Sequence, residues 1–196
     1  MSQQLTRSDL WSLEQYSTER AAFRAEVLAH KQHRRVSLGC HIMLIFEDVT
    51  TIRYQIQEML RIEKVFEADA IQEELDAYNP LIPDGSNWKC TLLIAYDDPE
   101  ERRVRLEQLL GVEDTIWLRV GDRDAVYPIA DEDLDRTRDN KTSSVHFLRY
   151  ELTADMVSAI HAGEALFAGV EHAAYPVASF QVADATRDAL AADLDR

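Results

Sequence analysis

The chain has 196 residues, 46% of them hydrophobic, and 36 Asp and Glu against 21 Lys and Arg leave a net charge of −15. That length suits a single α+β domain over residues 1–196, with a core that needs no staples. The negative excess argues against nucleic acid and anionic membrane surfaces as partners, because both are recognised through clustered Lys and Arg.

No stretch has signal-peptide character or the length of a membrane span, and Cys40 and Cys90 form no CxxC pair. The expected location is the cytoplasm, with both thiols reduced. Along the chain, Thr6-x-x-Asp9 has the form of a capping box that opens a short helix to Gln15. Ser17 or Thr18 then caps a second helix to about His33, with Phe23, Val27 and His30 as its stripe. The basic run His30 to Arg35 suits its C-terminal end. Val36–Leu38 and Cys40–Glu47 read as strands bent at Gly39. Thr50 or Thr51 opens a long helical region, which Asn79-Pro80 stops near Tyr78. Pro83-Asp84-Gly85 is a turn.

In the second half, Trp88–Tyr96 is a strand, and Asp98-Pro99 starts a helix that ends at Gly111. Thr115–Val120 and Ala125–Ile129 read as a hairpin around Gly-Asp-Arg-Asp, and Asp131–Arg138 as a short helix. Val145–Leu152 is a strand, and Thr153 caps a helix to about His161. Ala165–Glu171 and Val177–Val182 are strands before a helix over Asp184–Leu194. Hairpins mixed with helices give an α+β class. The sheet is mainly antiparallel or mixed, packed with several helices that include a long bent central one.

The central helix carries the clearest local conflict. At about 100° per residue, Ile52, Ile56, Met59 and Phe66 share a face, and Glu63 falls inside it. A carboxylate on a core face needs a partner or loses its charge. A straight helix would stack Glu63, Glu67 and Glu74 as a di-metal bundle does. A bend near Lys64 would instead place Ala68, Ile71 and Leu75 on a new face and leave Glu67 and Glu74 in solvent, while Glu63, just before the bend, could still face inward.

Candidate chemistry gathers around these residues. Glu58, Arg61, Glu63 and His146 form a candidate acid–base cluster. Arg34, Arg35 and Arg61 could clamp a small anion or pair internally with Glu47, Glu58 and Glu63. His30, His41, His146 and Glu63 are weaker metal candidates, since they lack ligand spacing. Phosphate-loop, GxSxG and HExxH motifs are absent.

The strings HRRVSLGCHIMLIFED, RYQIQEMLRIEK, IQEELDAYNPLIPDGSNW and TSSVHFLRYEL resemble a bacterial family of single-domain proteins of unknown function. The resemblance runs from Leu5 to about Leu194. Members are often encoded beside rubrerythrin and an iron–sulfur, cysteine-rich oxidoreductase. The resemblance therefore implies an accessory role in a peroxide or oxygen-stress redox module, with those proteins as partners. It implies no catalytic residues and no cofactor. It does pick out a polar group of Arg34, Arg35, His41, Gln57, Glu58, Arg61, Glu63, Asn79 and His146.

Three functions are expected from this reading. The first is the accessory role. The second is an enzyme on a small anionic or redox metabolite, with Glu58 or Glu63 as acid–base group, His146 as proton carrier and an Arg as clamp. The third is a metal-binding protein.

Overall fold

Burial alternates residue by residue along Arg35–Leu38 (β1), along Ile42–Phe46 (β2) and, from Trp88 onward, along Asn87–Ile94 (β3). A period of two makes each a strand with one face in the core. The computed structural model describes residues 4–133, 136 and 140–195. Its helices are α1 (Leu13–His30), α2 (Val49–Glu63), α3 (Ala68–Tyr78), α4 (Pro99–Gln108), α5 (Ala154–His161) and α6 (Asp184–Ala191). The remaining strands are β4 (Ile116–Val120), β5 (Ile129–Ala130), β6 (Val145–Glu151), β7 (Leu166–His172) and β8 (Tyr175–Gln181). They form a five-stranded sheet in the order β1-β2-β3-β6-β5 and a three-stranded sheet in the order β4-β7-β8. Every pairing between these strands is antiparallel, which gives the expected α+β class.

Both sheets feed one apolar cluster, where Leu44, Phe46, Trp88 and Tyr150 join Ile116, Leu118, Leu166 and Ala168. Polar groups tie the two sheets together. Tyr150 donates its hydroxyl to Ile116 O at 3.2 Å, and Tyr175 donates to Leu38 O at 2.8 Å. A second cluster joins Leu5, Ile52, Ile56, Leu60, Leu75 and Ile82. A third joins Tyr16, Phe23 and Val27 to Trp11 and Tyr54. Among the described residues, no helix is long and apolar enough to cross a membrane.

Local chemistry explains most boundaries. Ser12 Oγ accepts from Gln15 N–H, so α1 starts at Leu13 and runs through Ser17 and Thr18, the expected caps. The helix expected from Thr6 to Gln15 shrinks to a single turn at Arg7–Asp9, closed by Asp9 on the N–H and hydroxyl of Thr6. Asp48, rather than Thr50 or Thr51, caps α2. The expected hairpin between β4 and the next segment reduces to one bridge, Leu118 to Val126. β4 pairs along its length with β7, and β5 pairs with β6. Of the helix expected over Asp131–Arg138, residues 134–135 and 137–138 lie outside the described residues, and Asp131–Asp133 are not helical.

The long bent helix is two helices. Lys64 takes the left-handed conformation at φ 56° and ends α2, and α3 begins at Ala68. The buried seam of α2 includes Ile52, Ile56 and Leu60, whereas Phe66 is 74% exposed. Glu63 is also exposed, which corrects its expected burial. Its angular position is that of the seam, but Arg61–Lys64 are exposed all round because the last turn outruns the layer it packs on. Among the described residues, Glu47 and Glu113 are the most deeply buried acids, and the Asp193 side chain is 9% exposed.

Candidate functional site

β6 alternates, so His146 lies on the buried side with Leu148 and Tyr150, and none of its surface reaches solvent. A buried imidazole needs partners at both nitrogens. Nδ1 sits 2.5 Å from Asp131 Oδ2. Nε2 sits 2.8 Å from Thr142 Oγ1 and 3.1 Å from Ser143 O. Thr142 in turn donates to Glu113 Oε2 at 3.0 Å, and that oxygen is 3.9 Å from Nε2.

Each partner is positioned by a nearby backbone device. Asp131 follows β5 at φ +50°, a left-handed conformation that Asp tolerates better than most residues. Its N–H donates to Phe147 O at 2.8 Å, and its Oδ1 accepts from Phe147 N–H at 3.0 Å. Arg136 approaches the same Oδ1 at 3.3 Å and stacks over Phe147 at 4.5 Å. Glu113 sits in the turn Val112–Thr115, which Gly111 opens at φ +80°. Thr142 is held by its N–H on Leu106 O at 3.1 Å. Burial, then repulsion from Glu113 and Asp131, pushes the neighbouring Asp114 carboxyl above its usual range.

Thr142 also lines a cavity of about 310 Å³ with Leu106, Arg136, Lys141, Ser143 and Ser144. Lys141 makes no ion pair with any described residue. Thr142 therefore joins the buried histidine to a cavity wall that also carries Lys141, a cation unpaired among the described residues and suited to an anion. A second cavity of about 280 Å³ borders Phe147 and Arg149. Its cations are already engaged: Lys89 donates to Pro80 O and Ile82 O, and Arg149 pairs with Glu132 and Glu151.

The other expected site residues lie elsewhere, and the cluster of Glu58, Arg61, Glu63 and His146 does not assemble. Glu58 accepts from Tyr16 at 2.7 Å and from Arg20 at 2.8 and 2.9 Å, with Arg61 at 3.3 Å. The Arg20 guanidinium, with Arg61 and Tyr16, holds the Glu58 carboxyl down at about 2. Such a group is a poor general base at neutral pH. No hydrogen bond or ion pair with a described residue reaches Glu63.

Arg34 is 2% exposed and structural in its contacts. It donates to Phe46 O and Glu47 O, both at 3.0 Å, and to Ala189 O at 3.3 Å. It also pairs with Asp193 and lies 3.4 Å from Asp48. Arg35 is exposed on β1. Gln57 and Asn79 each clamp one backbone residue of the N-terminal segment: Gln57 holds Trp11, and Asn79 holds Leu5 through two bonds of 2.9 Å.

The metal candidates are likewise separated. His30 bonds Asp48, His41 bonds Ala95 O and stacks on Tyr96, and His146 bonds Asp131. Among the described residues, no group of three or more His, Cys, Asp or Glu is placed to hold a metal ion. Sequence reasoning singles out His146 but misses Asp131, Thr142 and Glu113. The local pattern at Asp131 predicts a helix, and the spacing of the other two carries no local signal.

The architecture has relatives. No curated protein matches the chain. A crystal structure described as a novel protein of unknown function from Burkholderia pseudomallei K96243 has 51% sequence identity to it and a TM-score of 0.94, with 100% of both chains covered. The family model described as "Protein of unknown function (DUF3501)" matches residues 4–194, and the chain belongs to that family.

Proposed function

We propose that His146 is the proton carrier of an acid–base site acting on a small carboxylate- or phosphate-bearing molecule. Thr142 links the imidazole to the cavity wall, Asp131 orients the ring, and Glu113 accepts the Thr142 hydroxyl hydrogen. Lys141 supplies the positive charge in place of the expected Arg clamp. The observation that carries this reading is one hydroxyl, Thr142 Oγ1, joining the buried imidazole to the wall of a cavity that also holds Lys141.

A thermal-unfolding titration with inorganic phosphate and oxalate tests the site. A ligand that binds only the folded state raises Tm with concentration. Saturable rises are expected for the natural chain and are lost in Lys141→Ala. No rise in the natural chain would overturn the reading.

A second reading is an accessory protein that docks on a redox partner, as the family resemblance implies. The exposed pair Ile62 and Phe66 favours it. Co-purification with a rubrerythrin-like protein and an iron–sulfur oxidoreductase tests this reading, and failure of both purified proteins to bind would end it.

A further inference from the structure

Two large apolar side chains stand in solvent where α2 gives way to α3. Phe66 is 74% exposed and Ile62 is 60% exposed, while the other exposed large hydrophobics among the described residues reach no more than 45%. The pair flanks the left-handed Lys64. The break is held rather than frayed, since Val65 N–H donates to Leu60 O at 2.9 Å. Beside Phe66 lies a cavity of about 260 Å³, walled by Leu10, Trp11, Leu13, Leu60, Val65 and Ile71, with Arg7 and Ser12 at its polar edge.

The charge along α3 and its approach is almost all of one sign. Residues 63–76 hold Glu63, Glu67, Asp69, Glu73, Glu74 and Asp76 against Lys64 alone. None of these acids is ion-paired with a described residue. The α2–α3 edge of the seat is thus acidic, with Arg7 on its other edge, and an apolar seat with one acidic edge is the complement of an amphipathic helix that carries a large apolar anchor beside Lys and Arg. A second copy of this chain is disfavoured, because it would bring together two molecules that each carry a net charge of −15.

We propose that Ile62, Phe66 and the adjoining cavity form a docking seat for a basic amphipathic helix of another protein, with the anchor inserted beside Trp11. This rests on the interaction reading above and adds the seat and the chemistry of its occupant.

The probe is a synthetic, Trp-free amphipathic peptide with Leu and Phe anchors flanked by Lys and Arg. Its binding is read by calorimetry and by intrinsic Trp fluorescence. Saturable binding that weakens with salt is expected, falling at least tenfold in Phe66→Ser. Ile129→Ser, exposed elsewhere, should bind as the natural chain does. Circular dichroism confirms that each variant is folded. A matched peptide with Glu for Lys and Arg should not bind. Absence of binding by the basic peptide overturns the proposal. Equal binding by Phe66→Ser overturns the seat while the interaction reading stands, since that reading is tested separately by co-purification. Self-association of the natural chain that disappears in Phe66→Ser, seen by sedimentation, would overturn it in favour of a second copy.

Discussion

Replacing Arg34 by Met removes a guanidinium that serves three carbonyls and the Asp193 carboxylate at once. Breaking a buried ion pair from one side costs about 3–5 kcal/mol, because the other charge is left uncompensated. Here the partner can protonate. Burial already pushes the Asp193 carboxyl up to about 6 despite Arg34, and without Arg34 it rises further. A raised folded-state value means that the folded chain holds the proton more tightly than the unfolded one. Asp193 therefore lowers stability at neutral pH, and that penalty is relieved as pH falls from above 6 toward 4. Over this window the natural chain also loses the ionic form of the pair, so the variant's deficit narrows. The expected loss is about 4 kcal/mol at pH 7.5 and about 1–2 kcal/mol less at pH 5. Urea unfolding followed by Trp fluorescence measures it, with Trp88 reporting on α6 through its bond to Leu190 O at 2.9 Å. A loss under about 1 kcal/mol, or one independent of pH, would show that Arg34 is not the hub of these contacts.

Glu58 should show the opposite pH sign. Its carboxyl is held down at about 2, so its contribution is present above the unfolded value and is lost as pH falls toward 2. With Arg20 partly exposed, screening holds that contribution to about 1 kcal/mol, and acid unfolding of Glu58→Gln should lack this phase. Lys64→Gly should raise stability by about 0.5–1 kcal/mol, since glycine takes the left-handed conformation without a Cβ clash. Urea midpoints check that change. Asn79→Ala should release Leu5, seen as faster hydrogen exchange over residues 5–10 with little change in the sheets.

Local signals carry much of the fold. Asn79-Pro80 stops a helix at Tyr78, Gly39 turns β1 into β2, and Asp98-Pro99 opens α4, because each acts through its own backbone. The pairing of β4 with β7 is not legible, since it joins segments about fifty residues apart that a nearby turn pattern already satisfies locally. The helical period gives Glu63 its correct angle on α2, but it does not report where along its length a helix stops being covered. The site follows the same division. His146 stands out on a strand, whereas Asp131, Thr142 and Glu113 reach it from separate loops whose meeting depends on tertiary packing.

Side-chain nitrogen NMR of His146 during a phosphate titration tests the acid–base site at its centre. The ring-nitrogen resonances should move saturably with phosphate in the natural chain but not in Lys141→Ala. Resonances that stay fixed at all phosphate concentrations would contradict the site and leave His146 as a pin between loops.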